Sequence, residues 1–274
     1  MNKIKQLLNS RPNSGISYDI SPKALEKWNP AIKAAESSVP TITILDEIGD
    51  YWGEGVTAKR IAAALRNIGE NNPVDVLINS PGGDLFEGLA IYSLLKEHKG
   101  KVTVKILSLA ASAASIIAMA GDEIQIARSG FLMIHNTWVV GIGNRHDFSA
   151  MATWLEPFDE AMSDIYHAKT GVDIKEISSM MDAESWIGGT SAIDKGFADS
   201  YLDSDEITED DSMKSKFAAQ KLDVLLAKAG VPRSERRRLV AEVKEGKQNA
   251  ADMQNAITFN EPLVRLNFDY KMEE

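Results

Sequence analysis

VTVKILSLAASAASIIAMAG, residues 102–121, changes its period halfway along. Its first half alternates Val102, Val104 and Ile106 with Thr103 and Lys105, the pattern of a strand. After the strand 102–110 the residues become small, and from Ala111 the chain reads as a helix closed by Gly121. The neighbouring segments repeat the unit. VDVLIN (74–79) is a strand, SPGGD a turn, and LFEGLAIYSLLKEHKG (85–100) a helix ending at glycine. Upstream, TITILDEI (41–48) reads as a strand and TAKRIAAALRNIG (57–69) as an amphipathic helix; downstream, EIQIA (123–127) and FLMIH (131–135) are short strands. Strands alternating with helices predict an α/β fold on a mainly parallel sheet with flanking helices.

The remaining segments frame this core. Residues 1–36 are polar and broken by Pro12, Pro22 and Pro30, which predicts an extended arm with one short helix. A long helix is expected over 147–169, with a kink at Pro157, and short ones over 173–181 and 190–196. The acidic run DSDEITEDD (203–211) marks a linker. Two helices, 213–229 and 232–249, are expected beyond it, and NAITFNEPLVRLNFDY reads as a strand or a peptide-like tail. The division is therefore an arm (1–36), a main domain (37–204) and a helical C-terminal appendage (205–274).

Composition narrows the function. The net charge of −10 argues against nucleic-acid binding through a general basic field. The one basic cluster, Arg233, Arg236, Arg237 and Arg238, reads as a solvated helix face. With no cysteine there is no disulfide scaffold, thiolate metal site or cysteine nucleophile. The longest apolar stretch, around Ile106–Ala120, is broken by serines and falls short of a membrane span, and the N-terminus lacks a signal-peptide core. A cytoplasmic protein is expected.

Three features could carry chemistry. Ser112 stands where the strand gives way to the helix, in the positive field of a helix N-terminus, although a serine there is also an ordinary N-cap. Adjacent Gly82 and Gly83 could present backbone N–H groups to an oxyanion, or merely make a tight turn. Among His98, His135, His146 and His167, only His135 ends an apolar strand, where sites are commonly carried, although a satisfied core histidine would read the same way.

In combination, the ordered motifs INSPGG (78–83), AAS (110–112) and MIH (133–135) resemble those of the Clp protease proteolytic subunit (ClpP) family, over about residues 38–203. The resemblance implies a ClpP/crotonase-like fold and a serine endopeptidase with Ser112 as nucleophile, His135 as base, and the Gly83 and Ala113 amides as oxyanion hole. It implies no metal or cofactor. Family members form rings, so the resemblance implies a homo-oligomer, heptameric and chambered, stacking through the 147–169 helix, with protein or peptide substrates, and raises docking of an ATP-driven unfoldase. Ala113 and Ala114 stand where the family has glycine and methionine, and Ser108 and Leu109 replace a glycine and a glutamine. These departures, and the terminal extensions, resemble ClpP-related head-maturation proteases of tailed phages. That would make capsid or scaffold proteins the substrates and host cytoplasm the location.

The family's aspartate falls at Glu184, with Asp182 as its competitor; Trp186 and Ile187 following Glu184 match the family's aromatic–aliphatic pair. Glutamate serves in some triads. The alternatives are a crotonase-type acyl-CoA enzyme, a Ser–Lys peptidase and a catalytically silent assembly or scaffold protein.

Overall fold

The structure is a computed structural model and describes residues 20–34, 38–50, 55–202, 207–209 and 233–244, with positions 219, 222, 223, 226 and 231. The chain divides into two units, 1–217 and 218–274.

In the first unit, β2 (Thr41–Ile44), β3 (Val74–Ser80), β4 (Val102–Ala111), β5 (Glu123–Ile126) and β8 (Ser200–Tyr201) form a parallel sheet in that order. β6 (Phe131–Ile134) pairs in parallel with the last residues of β4, and β7 (Ser185–Gly188) pairs antiparallel with β6. The crossovers are α2 (Ala58–Ile68), α3 (Leu85–Glu97) and α4 (Ala113–Ala118). The long α5 (Arg145–Thr170) is followed by α6 (Ile174–Asp182) and α7 (Gly189–Asp194). This is the mixed, mostly parallel sheet with flanking helices that the sequence predicts.

Strand parity explains the layering. Val102, Val104 and Ile106 point into the large core with Leu89, Ile116 and Phe158. Leu107 points the other way, into a smaller cluster with Leu77 and Leu202. Each fully buried side chain of this kind stabilises the fold by about 1.5–3 kcal/mol. β3 is buried along its whole length, as a central parallel strand should be. The β3–β4 register shifts between Ile78 and Ser80, so the ends of both strands leave the regular ladder where the site lies.

Several elements differ from the sequence expectation. The arm carries the short helix α1 (Pro22–Lys27) and also β1 (Ile32–Ala34); residues 1–19 lie outside the described residues. Within the acidic run, β9 (Ile207–Glu209) pairs antiparallel with β1, so β-branched Ile207 and Thr208 make a strand where a linker was expected. β7 and β8 were not anticipated, being too short to show a period. The 41–48 segment pairs regularly only to Ile44, after which Ile48 bridges Val56 and Gly83. α5 starts at Arg145, where Asn144 and Asp147 form a capping box.

In the second unit, α8 (Arg233–Lys244) lies inside the expected 232–249 helix. Most of 213–229 and all of the final stretch fall outside the described residues. Arg236 corrects the solvated-face reading: it is buried, with its guanidinium 3.3 Å from the Asp223 carboxylate, whereas Arg237 and Arg238 are exposed. Its long apolar stem packs as readily as its head pairs. Among the described residues no helix is long and apolar enough to cross a membrane.

Candidate active site

The β4–α4 junction brings the hydroxyl of Ser112 out of the sheet. Ser112 N–H donates to the Met133 carbonyl at 2.9 Å, so its backbone is held by β6. Its φ of 54° and ψ of −124° lie outside the regions ordinary side chains prefer, a strain of roughly 1–3 kcal/mol that tends to mark functional sites. The N-cap alternative fails on geometry: the Ser112 side chain makes no capping bond. Instead its Oγ lies 2.7 Å from His135 Nε2, with the imidazole delivered by the end of β6. Ser115 faces elsewhere. Buried Ser115 donates to the Ser112 carbonyl at 2.6 Å and stands 2.7 Å from the Tyr166 hydroxyl.

The SPGGD turn abuts this junction. Gly82 has φ 92° and Gly83 φ 145°, both outside the range of L side chains. A Cβ on Gly82 would meet the Ala111 carbonyl oxygen at 2.6 Å, and one on Gly83 would collide with the Ile48 backbone. The turn is pinned from both sides: Ile48 N–H donates to Gly82 O at 2.8 Å, and Asp84 N–H donates to Ile48 O at 2.8 Å. Asp84 then caps α3 by accepting from Phe86 and Glu87 N–H. Among the described residues the Gly83 and Ala113 amides donate to nothing. Both flank the nucleophile, and Ala113 opens a helix whose first N–H groups have no internal partner.

His135 is largely buried, and desolvation holds its pKa below the ordinary 6.5, while the charge of Glu184 pulls it upward. Burial thus favours the neutral imidazole, the state a base requires. Glu184 follows the end of α6 at φ 48°. Its Oε1 lies 3.2 Å from Lys23 Nζ, as an ion pair, and among the described residues no hydrogen bond joins it to His135. Asp182 faces a different group. Its Oδ1 accepts from Asn136 Nδ2 at 2.7 Å.

Sequence reasoning missed three contributors. Asp159 on α5 accepts from the Thr137 N–H at 2.6 Å; burial pushes its carboxyl up, the Thr137 bonds pull it down, and the Asp182 charge pushes it up again. Tyr166, fully buried, has its hydroxyl pKa raised by burial, with the Ser115 bond opposing. Lys23 comes from the arm, which is anchored where Trp28 Nε1 donates to Asn79 O at 2.9 Å and Asn79 Nδ2 donates to Asn29 O at 2.7 Å. No sequence period signals such contacts; only the run Asp159, Met162, Tyr166 at helical spacing hinted that one face of α5 turns toward the site. The other histidines are structural, His98 Nε2 lying 2.8 Å from Asn72 O and His167 Nδ1 2.7 Å from Val172 O, while His146 is exposed at the start of α5.

The family model described as Clp protease matches residues 33–205. The chain is 28% identical over 155 residues to an ATP-dependent Clp protease proteolytic subunit of Deinococcus radiodurans, covering 55% of this chain and 76% of that protein. It is likewise 28% identical over 167 residues to the ATP-dependent Clp protease proteolytic subunit 3 of Rhodococcus jostii, covering 60% of this chain and 81% of that one. With more than half of its length matched by the family model, the chain belongs to the Clp protease family of peptidases.

Proposed function

We propose that the protein is a serine endopeptidase that works through Ser112 and His135. The observation that carries this reading is the 2.7 Å approach of His135 Nε2 to a Ser112 hydroxyl that caps nothing. The Ser112 O–H donates to Nε2, which leaves the Nδ1–H tautomer. Oγ attacks the scissile carbonyl as its proton passes to Nε2, and the Gly83 and Ala113 amides receive the oxyanion. Collapse expels the amine, which takes the proton from His135. Water, deprotonated by the same imidazole, then releases the acyl group.

Glu184 is the acid of this scheme. Its support is the pull of its charge on His135, set against an Asp182 already committed to Asn136. In this scheme the charge of Glu184 stabilises the imidazolium that forms on His135. The crotonase-type reading does not require a paired serine and histidine, and the pair favours hydrolysis.

Self-association into rings, heptameric and enclosing a chamber, is part of the proposal. Trp138, Val140, Ile142 and Phe148 are exposed where the 136–147 segment meets α5, and Ile142 is 96% exposed. So much apolar surface in one stretch suits an interface. Residues 205–274 are assigned to partners or assembly. The assignment of phage capsid or scaffold proteins as substrates, of host cytoplasm as location and of an ATP-driven unfoldase as partner rests on the resemblance alone.

The test is turnover of an internally quenched peptide by the wild type and by Ser112→Ala and His135→Ala. Both variants should fall to residual rates, at least about 10³-fold down. A His135→Ala variant with wild-type turnover would favour a Ser–Lys mechanism.

A further inference from the structure

The space beside Ser112 is small, and its walls are tied. The cavity there is about 20 Å³, and its walls include Leu85, Thr137, Trp138, Met162 and Tyr166. That is room for about one water. One wall is the segment that follows His135, and the facing wall is α5. The α5 wall is fixed, since Tyr166 is fully buried and bonded to Ser115, and Met162 is buried. One turn earlier, Phe158 is held edge-on between Phe86 and Trp154, with ring centres 5.5 and 4.7 Å away.

The opposing wall is held to α5 by a carboxylate. Asp159, the neighbour of Phe158, accepts from the Thr137 backbone N–H at 2.6 Å. Asp182 at the end of α6 holds the adjacent Asn136 side chain at 2.7 Å. Two helices thus grip consecutive residues directly after the base, and the Asp159 bond ties the Thr137 wall of the cavity to α5, the helix that supplies Met162 and Tyr166 to the other wall. A charge-assisted bond of this length is among the stronger ones available.

We propose that this site, read as a serine peptidase, cleaves after the smallest residues (glycine or alanine) and that Asp159 is the positioning residue that sets the limit. The inference rests on the Ser112–His135 peptidase reading above. A side chain of one heavy atom fits the cavity as it stands, whereas leucine or phenylalanine requires the Thr137 wall to move off α5. Each excess methylene in a closed pocket is worth about 10-fold or more in discrimination. Releasing Thr137 should widen the pocket without touching Ser112 or His135.

The experiment uses the full chain and a set of internally quenched peptides that differ only in the residue before the scissile bond. Ser112 modification by a fluorophosphonate is measured alongside. The wild type should favour alanine over leucine by at least about 10-fold in kcat/KM. Asp159→Ala should lose most of that ratio by gaining on leucine, and Asp159→Asn, whose side-chain oxygen still accepts from Thr137, should keep it. A merely structural role would lower all substrates together and leave the ratio unchanged. A wild type that labels at Ser112 yet prefers leucine or phenylalanine overturns this proposal and leaves the peptidase reading standing. An Asp159→Ala variant that labels normally with an unchanged ratio overturns the part given to Asp159. Failure of the wild type to label or cleave overturns the peptidase reading and this inference with it.

Discussion

Gly82 is the position where one added carbon reports on the geometry of the nucleophile. In Gly82→Ala the new Cβ would stand 2.6 Å from the Ala111 carbonyl oxygen and 2.8 Å from Ser112 Cβ, at a φ of 92°. Contacts under 3.0 Å do not persist, so the turn and the end of β4 must part by about 0.4 Å. Two costs follow. A non-glycine residue at positive φ costs about 1–2 kcal/mol. Misplacing catalytic groups by 1 Å costs about 10²-fold, so 0.4 Å costs roughly 6-fold if the loss scales with displacement. Gly171→Ala separates the two, because Gly171 has φ 72° with nothing within 4 Å of its Cβ position. The assay is the first-order rate of Ser112 modification by a fluorophosphonate, with thermal unfolding measured in parallel. Each variant should lose at least about 2–4 °C in Tm. Only Gly82→Ala should label several-fold more slowly. Equal labelling rates in the two variants would refute the idea that the close approach of Gly82 sets the position of Ser112.

Four further outcomes are expected. Because burial lowers the pKa of His135 and the neutral ring is the base, activity should be lost on acidification only through a midpoint below 6.5. Glu184→Gln removes the charge that raises this pKa and should move the acid limb lower still, while Lys23→Met, which leaves Glu184 without its cation, should move it up; Asp182 stays in place in both. Opposite shifts in pH–rate profiles would contradict the field assigned to Glu184. Asp182→Asn should keep turnover within a few-fold, since its contact is Asn136, whereas Glu184→Gln should lose markedly more; the reverse order in steady-state kinetics would reassign the acid. Ser115→Ala should retain labelling at Ser112 yet lose about 1–3 kcal/mol, because the Tyr166 hydroxyl is left buried without its partner, and calorimetry would read this.

The parallel core was legible because each strand is an apolar run closed by a turn or a helix, and because Ser112 and His135 stand at ends of such runs. What surrounds them was less legible, for physical reasons. β7 is four residues long and exists through its pairing with β6, so its placement of Glu184 depends on tertiary contact. Asp159 and Asp182 look like solvated helix residues in sequence, and only the packing of α5 and α6 brings them to Thr137 and Asn136. Lys23 belongs to an arm whose docking hangs on Trp28 and Asn79, two residues 51 positions apart. The N-cap reading of Ser112 could be set aside only once its side chain was located.

The central claim is that Ser112 is an activated nucleophile and His135 its base, and locating the modified residue by mass spectrometry after fluorophosphonate treatment tests it most directly. The account predicts one adduct, on Ser112, which fails to form in His135→Ala. An adduct on Ser108 or Ser115, no adduct at all, or one on Ser112 that persists undiminished in His135→Ala would contradict it.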